Sequence, residues 1–231
     1  YYDVPTIQKM LIKKANLKGM PVITATQMLL SMTQNERATR AEISDVANAV
    51  LDGTDVVMLS EESAVGEDPI NVVDTMHNII AKTEDIYNYD KQYKFPYLDE
   101  FDVIQSTVTK LADDLKANGI LALTSSGKSA LKMSRYRPKT PIFTFTHKKK
   151  VLNSLTAVWG VEPIGTIKEA QASKMFQKML KALDEKGLLN RNGLYVATVG
   201  YPIGMPGSTN TIKILTPSEI EYYLNFKEEE I

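Results

Sequence analysis

Hydrophobic residues along this chain follow two patterns, one with helical spacing and one of short unbroken runs. The helical pattern is clearest between Thr39 and Gly53, where every third or fourth residue is apolar. These residues are Ile43, Val46, Ala47, Val50 and Leu51. Thr39–Glu42 fits a capping box, in which a threonine hydroxyl and a glutamate carboxylate satisfy free amides of the first turn. Together these signals predict a helix that ends at Gly53.

Apolar, β-branched runs without polar alternation predict strands that are covered on both faces. Two such runs occupy residues 21–26 and 55–60, with predicted helices on either side of each. The helices open at Asp3, Thr39 and Asp68. Two buried parallel strands are too few for a covered sheet. We therefore expect residues 1–86 to complete an architecture whose other strands lie upstream of Tyr1.

Residues 87–102 interrupt this rhythm with aromatics, charges and Pro96, and we interpret them as a linker between two domains. Strands and helices then alternate through residues 103–231. The predicted strands are 120–124, 142–146, 161–164, 194–200 and 211–216. This alternation predicts a mostly parallel sheet with helices on both faces and one antiparallel edge, because the last strand directly follows another. Ser218–Glu221 fits a capping box for a C-terminal helix.

Composition restricts the class of protein without identifying it. The 27 basic and 28 acidic residues give a net charge of −1, so neither nucleic acid nor a membrane is an expected partner. The chain has no cysteine and two histidines, which excludes a disulfide scaffold and a thiolate or histidine-rich metal site. Its apolar runs are far shorter than the ~20 residues that span a bilayer, and no signal peptide is recognisable. We expect a cytoplasmic protein.

Polar side chains at the ends of the first two predicted strands are candidates for chemistry, because parallel α/β folds gather functional residues there. Thr24–Gln27 supplies hydroxyls and an amide, and Ser60–Ser63 supplies hydroxyls and carboxylates. A structural interpretation stays open for both segments. Threonine is common in strands, and serine or glutamate at a strand end often caps a turn or helix.

A third candidate follows a predicted strand and opens a helix. It comprises Thr124, Ser125, Ser126, Gly127, Lys128 and Ser129. Free amides, hydroxyls and a lysine at a helix start favour a phosphate or another anion. A nucleotide P-loop is not indicated, since Ala122 replaces its first glycine. The alternative is a serine-capped helix with an exposed lysine. Arg135, Arg137 and the run 147–150 add positive charge that supports an anionic ligand.

Several segments together resemble the pyruvate kinase family. They are 4–5 (VP) with 8–9 (QK), 18–29 (KGMPVITATQML), 37–42 (RATRAE), 45–53 (DVANAVLDG), 58–60 (MLS), 134–138 (SRYRP) and 207–211 (GSTNT). The run from Ala25 to Ser60 is too long and specific to be a chance pattern. The resemblance implies that residues 1–86 are the last quarter of a (β/α)8 TIM barrel, with strands 7 and 8. Residues 103–231 would be that family's three-layer α/β C-terminal domain.

The resemblance also implies a glycolytic reaction, in which phosphoenolpyruvate and ADP give pyruvate and ATP with Mg2+ and K+. Thr26 corresponds to an active-site threonine near the face where the enolate is protonated, and Ser60 to a nearby strand-end serine. Arg40 corresponds to an arginine at the subunit interface of a homotetramer. The catalytic lysine and the ligands of both metals belong to motifs upstream of Tyr1. The isolated chain is therefore expected to be inactive and to hold no metal.

The loop Thr124–Ser129 corresponds to the family's effector loop, which holds a sugar phosphate in many members. Here the second contact region, residues 201–208, carries no basic residue, so a sugar phosphate and a nucleotide both remain candidate effectors. The chain also departs from the family at Glu61, Ser63 and the helix from Glu219. The alternative to an enzyme is a free-standing phosphate-binding regulatory module without catalysis.

Overall fold

The structure is a computed structural model, and it describes residues 2–90, 94–169, 171–200 and 209–227. The chain divides into two compact units, Tyr1–Tyr89 and Asp90–Ile231. The first unit comprises α1 (Val4–Leu17), β1 (Ile23–Ala25), a 3₁₀ helix (Leu30–Thr33), α2 (Arg40–Asp52), β2 (Val56–Met58), α3 (Glu61–Ala64) and α4 (Pro69–Glu84).

Helix starts in the first unit follow the predicted capping signals at two of three places. At α2 both halves of the capping box form, because Thr39 Oγ1 accepts from the amide of Glu42 and the Glu42 carboxylate accepts from the amide of Thr39. Asp68 caps α4 through the amide of Asn71. Asp3 precedes α1 but its side chain makes no capping hydrogen bond. The predicted helices are present, and only the cap of α1 is wrong.

β1 and β2 form a parallel pair in which Ile23 lies beside Val56 and Ala25 beside Met58. One face packs on a core between α2 and α4. This core contains Met28, Leu29, Met32, Val46, Ala49, Val72 and Met76. Ile23 and Met58 remain 53% and 42% exposed, although the sequence pattern predicts strands covered on both faces. The described residues contain no further strand in this sheet to cover them.

The second unit is a five-stranded sheet between two layers of helices. Its elements are α5 (Glu100–Asp114), β3 (Gly119–Leu123), α6 (Lys128–Arg135), β4 (Ile142–Thr146), α7 (Lys149–Ser154), β5 (Val161–Thr166), α8 (Ala172–Glu185), β6 (Tyr195–Gly200), β7 (Thr209–Leu215) and α9 (Pro217–Leu224). The strand order is β5-β4-β3-β6-β7, and only the β6–β7 pair is antiparallel. The predicted mostly parallel sheet with an antiparallel edge is confirmed.

Separate apolar cores lie on the two faces of this sheet, which gives the unit three layers. One core holds Met175, Phe176 and Leu180 of α8 with Ile220 of α9. The other holds residues of α5 and α6 with the end of α7, among them Val108, Ala112, Met133 and Leu155. The interior strands β3, β4 and β6 are therefore buried on both faces, which explains why threonine is almost their only polar residue.

Two boundaries differ from the sequence prediction. Thr216, not Ser218, caps α9, because Pro217 fits the first helical position and Glu219 then completes the capping box with Thr216. Helix α5 begins at Glu100, inside the segment interpreted as the linker, since Asp99 caps it through the amide of Asp102. The predicted contact region 201–208 lies outside the described residues.

Candidate functional site

Thr26 and Ser60 lie at the same edge of the small sheet. Thr26 directly follows β1, and Ser60 comes two residues after β2. Because β1 and β2 run parallel, with Ala25 beside Met58, their carboxyl ends meet at one edge. Both residues are exposed. The fold thus brings together the two hydroxyls that the sequence singled out.

The backbone at Thr26 adopts a conformation that L-residues avoid. Its φ is 81°, and that of Gln27 is 58°. Positive φ is a genuine outlier for a β-branched residue such as threonine. Such conformations cost on the order of 1–3 kcal/mol each and persist where the surrounding structure enforces them, often at functional sites. The strain marks the turn after β1 as a candidate site.

Two glutamates hold this turn. Glu62 is buried and accepts hydrogen bonds from the amides of Ser60 at 2.7 Å and Leu29 at 3.2 Å. Glu42 accepts from the amide and hydroxyl of Ser31, at 2.7 and 2.5 Å. Burial raises the pKa of Glu62, but the amide hydrogen bonds outweigh it and the pKa lies below its usual value. Sequence reasoning missed this role, because nothing in Ser60–Ser63 indicates which carboxylate turns inward.

A cavity of about 500 Å³ opens beside Thr26, between α1, β1 and α2. Thr26 and Gln27 line it together with polar residues of both helices, among them Lys9 and Asp52. The Lys9 ammonium bridges both carboxylate oxygens of Asp52, at 2.7 and 2.8 Å. Ser60 does not line this cavity. Arg40, the first residue of α2, is exposed.

In the second unit, the loop Thr124–Ser129 is a tight turn between β3 and α6. Thr124 is buried, and its hydroxyl accepts from the amide of Gly127 at 3.0 Å. Gly127 precedes α6 with a φ of 85°, and a Cβ there would touch Val151 of α7 at 3.4 Å. Ser126 and Lys128 are exposed.

The start of α6 differs from the capped helix of the alternative interpretation. In the described part of the chain, no side chain caps this helix, so it is not the serine-capped helix of the alternative interpretation. Ser125 is partly buried, and Ser129 shares a hydrogen bond with the hydroxyl of Thr209 at 3.0 Å. Exposed amides at a helix start attract anions.

The positive charge around this loop is smaller than the sequence suggested. Arg135 and Arg137 are 1% and 2% exposed, and both lie at the far end of α6. Arg135 pairs with buried Asp102 at 2.7 Å, and Arg137 donates to the carbonyl of Ser134 at 2.8 Å. The expectation that these two arginines support an anionic ligand is therefore wrong, because both are buried and bind other buried residues of the protein.

The remaining basic run is exposed. His147 and Lys148–Lys150 follow β4 and continue into α7. β4 is the parallel neighbour of β3, so this run and the loop Thr124–Ser129 lie at the same edge of the sheet. Lysines on α7 thus add positive charge on the side of the candidate anion loop.

The described residues contain no cluster of carboxylate and imidazole metal ligands. Nowhere among them do three or more histidine, aspartate or glutamate side chains gather closely enough to hold an ion. A membrane helix is likewise not found, since no described helix is both long and apolar enough to span a bilayer.

The fold defines an α/β protein that combines a parallel pair typical of barrel ends with a three-layer domain. Comparisons with known proteins identify its family. The pyruvate kinase barrel-domain model matches residues 1–73, and the pyruvate kinase alpha/beta-domain model matches residues 102–215. The chain therefore belongs to the pyruvate kinase family, as the sequence motifs predicted, and corresponds to its C-terminal part.

Individual relatives agree with the family models. Pyruvate kinases of Lactobacillus delbrueckii subsp. bulgaricus and Clostridium acetobutylicum are 42% and 43% identical over 93% and 91% of this chain. A crystal structure of a pyruvate kinase from Cryptosporidium parvum superposes with a TM-score of 0.83 at 33% identity, over 93% of this chain. The chain spans 37% and 46% of the two bacterial enzymes and 43% of the Cryptosporidium chain. The part of each relative that matches this chain is therefore less than half of that relative's length.

Proposed function

We propose that this chain is part of a pyruvate kinase that transfers the phosphoryl group of phosphoenolpyruvate to ADP, giving pyruvate and ATP. The observation that carries the proposal is the pair of strand-end hydroxyls, Thr26 and Ser60, on neighbouring parallel strands. The strained turn at Thr26 also supports the proposal, since backbone strain of this kind is concentrated at active sites. Both residues lie in the segment that matches the family's barrel domain.

Thr26 and Ser60 take part in the proton step of this reaction. Loss of the phosphoryl group leaves the enolate of pyruvate, whose methylene carbon must gain a proton. A hydroxyl can give its proton to that carbon while it takes one from an adjacent water, which is reprotonated from solvent, so the hydroxyl is unchanged at the end and needs no shifted pKa to act as a relay. Thr26 is the proposed relay, and Ser60 orders the water beside it. Mg2+, K+ and the catalytic lysine are assigned to other segments of the full-length protein.

Replacement of Thr26 by valine tests the relay. Valine keeps the shape and removes the hydroxyl, so the full-length T26V protein should bind phosphoenolpyruvate with little change in KM. Exchange of the pyruvate methyl protons with deuterated water, followed by NMR, should slow about 10²-fold or more, as for loss of a general acid–base group. T107V, at an exposed threonine of α5, is the matched control. An exchange rate equal to that of wild type would show that Thr26 contributes only to packing and is not the relay.

We further propose that Thr124–Ser129 binds the phosphate of an effector, either a sugar phosphate or a nucleotide. The uncapped start of α6, the exposed Lys128 and the lysines that follow β4 support an anionic ligand. The full-length protein is proposed to be a cytoplasmic homotetramer with Arg40 at a subunit interface.

An S126D variant tests the effector loop, because a carboxylate there would repel a phosphate. Calorimetric titration of the full-length protein with fructose 1,6-bisphosphate, ribose 5-phosphate and AMP should show at least one ligand whose affinity falls about 10-fold or more in S126D. S218D, at an exposed serine of α9, should bind like wild type. Equal affinities in wild type and S126D for every ligand would show that the loop is only a turn before a helix.

A further inference from the structure

Glu62 is a buried carboxylate with no part in the proton step. Its side chain belongs to α3, directly after Ser60, and the residue is 1% exposed. One oxygen accepts from the amide of Ser60 at 2.7 Å, and the other accepts from the amide of Leu29 at 3.2 Å. These amides lie on two different loops, one after β2 and one after β1. A single carboxylate thus joins the two strand ends.

The loop after β1 needs such support. Thr26 and Gln27 hold positive φ, which their own backbone preferences oppose. Leu29 lies three residues beyond Thr26, so its hydrogen bond to Glu62 fixes the chain just past the strained turn. On the other side of the loop, the Glu42 carboxylate binds Ser31. The strained turn is therefore anchored from both neighbouring elements.

The backbone of Glu62 is fixed as firmly as its carboxylate. A Cβ at Gly66 would lie 2.2 Å from the carbonyl oxygen of Glu62, so only glycine lets the chain pass this close. The next residue, Glu67, donates its amide to the carbonyl of Thr33 at 3.2 Å, beside the loop after β1. This hydrogen bond joins the segment after α3 to the 3₁₀ helix that follows β1.

We propose that Glu62 is a positioning residue for the reaction, and that its carboxylate sets the separation of the Thr26 and Ser60 hydroxyls by bridging the two strand-end loops. This role rests on the proposed function. The bridge needs two acceptor oxygens, because both of its partners are N–H donors. Glutamine has nearly the same shape but offers one acceptor, and its NH2 group would face a donor. The pKa of Glu62 lies below its usual value, so the side chain is a carboxylate at neutral pH and both of its oxygens accept hydrogen bonds.

The test is E62Q in the full-length protein. Misplacement of reacting groups by about 1 Å can cost about 10²-fold, so we expect kcat to fall about 10- to 100-fold while the KM for phosphoenolpyruvate stays within about 3-fold. Exchange of the pyruvate methyl protons should fall with kcat. E36Q removes the charge of an exposed glutamate outside α3 and should match wild type.

A double-mutant cycle separates positioning from general stability. If Glu62 acts through the hydroxyl of Thr26, then E62Q should slow methyl exchange in wild type but change it less than about 3-fold in the T26V background. Independent, multiplying effects would mean that Glu62 only stabilises the fold, and would overturn the proposal. So would an unchanged kcat in E62Q.

Two further outcomes are decisive. If E62Q does not fold, E62D keeps both oxygens but shortens the side chain by one methylene, and we expect a reduced kcat with a normal melting temperature. A kcat of E62D equal to wild type would overturn the positioning role.

A full-length wild-type protein that makes no ATP from phosphoenolpyruvate and ADP would instead overturn the proposed function itself, and this role of Glu62 with it.

Discussion

At the scale of single residues, carboxylates organise the loop that carries Thr26. Glu42 caps α2 and also binds the amide and hydroxyl of Ser31, so one side chain ties a helix start to the loop before it. Burial raises the pKa of Glu42, but its hydrogen bonds to Ser31 and Thr39 outweigh this and lower the pKa below 4.5. The conformation of the loop after β1 thus depends on the negative charge of Glu42.

This dependence predicts a loss of stability in acid. A carboxyl whose pKa is lowered on folding stabilises the protein fully above its unfolded pKa, near 4.5, and this stabilisation is lost as pH falls through the lower folded pKa. E42Q keeps a residue that fits the capping box but removes the charge from the hydrogen bonds to Ser31 and Thr39, so it should lower the free energy of unfolding at pH 7 by about 1 kcal/mol. The difference between E42Q and wild type should shrink below pH 4.5.

Urea denaturation of the 231-residue chain at several pH values measures both effects. The exposed Glu36 supplies a matched control, E36Q, which should follow wild type at every pH. A difference between E42Q and wild type that stays constant from pH 7 to pH 3 would contradict the assigned role of the Glu42 charge.

At the scale of elements, a buried ion pair joins α6 to the start of α5. Arg135 binds Asp102 at 2.7 Å and the carbonyl of Pro96 at 2.7 Å, and its guanidinium lies 5.5 Å from the ring centre of Phe95. The Tyr136 hydroxyl donates to the same carboxylate, and burial together with this bond raises its pKa. The loop Thr124–Ser129 lies at the N-terminal end of α6 and this cluster lies at its C-terminal end, so one helix connects both.

Removal of one partner of this ion pair should lower the free energy of unfolding. D102N leaves the Arg135 charge buried without its partner, and we expect a loss of about 3–5 kcal/mol in the free energy of unfolding. The double variant D102L/R135M removes both charges and should recover much of that loss. Urea denaturation monitored by Trp159 fluorescence measures the effect. D114N, at an exposed aspartate of α5, is the control, and an equal loss there would contradict the assignment.

The same elements show what sequence can and cannot predict. The capping box at Thr39 and the apolar runs of β3 and β4 are local signals, and the structure confirms them. The burial of Arg135 depends on Asp102, 33 residues earlier in the chain, and no local pattern reports such a partner. The prediction of Ser218 as the cap of α9 was wrong, because Thr216 and Glu219 also fit the capping-box pattern and Pro217 occupies the first helical position.

At the scale of the molecule, the two units differ in how far their sheets are covered by other elements. The second unit covers both faces of its sheet. The described residues of the first unit contain two strands, with Ile23 and Met58 left exposed. Sequence predicted this difference from the small number of strands before the linker. Within the proposed function, the first unit contributes the proton-relay edge of an active site whose metal ligands and catalytic lysine lie on other segments.

The most direct test compares ATP formation by the full-length protein and by the 231-residue chain, at equal molar concentration, with phosphoenolpyruvate, ADP, Mg2+ and K+. We predict turnover by the full-length protein and none by the chain, because the family resemblance implies that the catalytic lysine and the metal ligands lie on other segments. The same comparison separates the enzyme from a free-standing regulatory module, which would have no active longer form. Turnover by the isolated chain, or its absence in the full-length protein, would contradict the account.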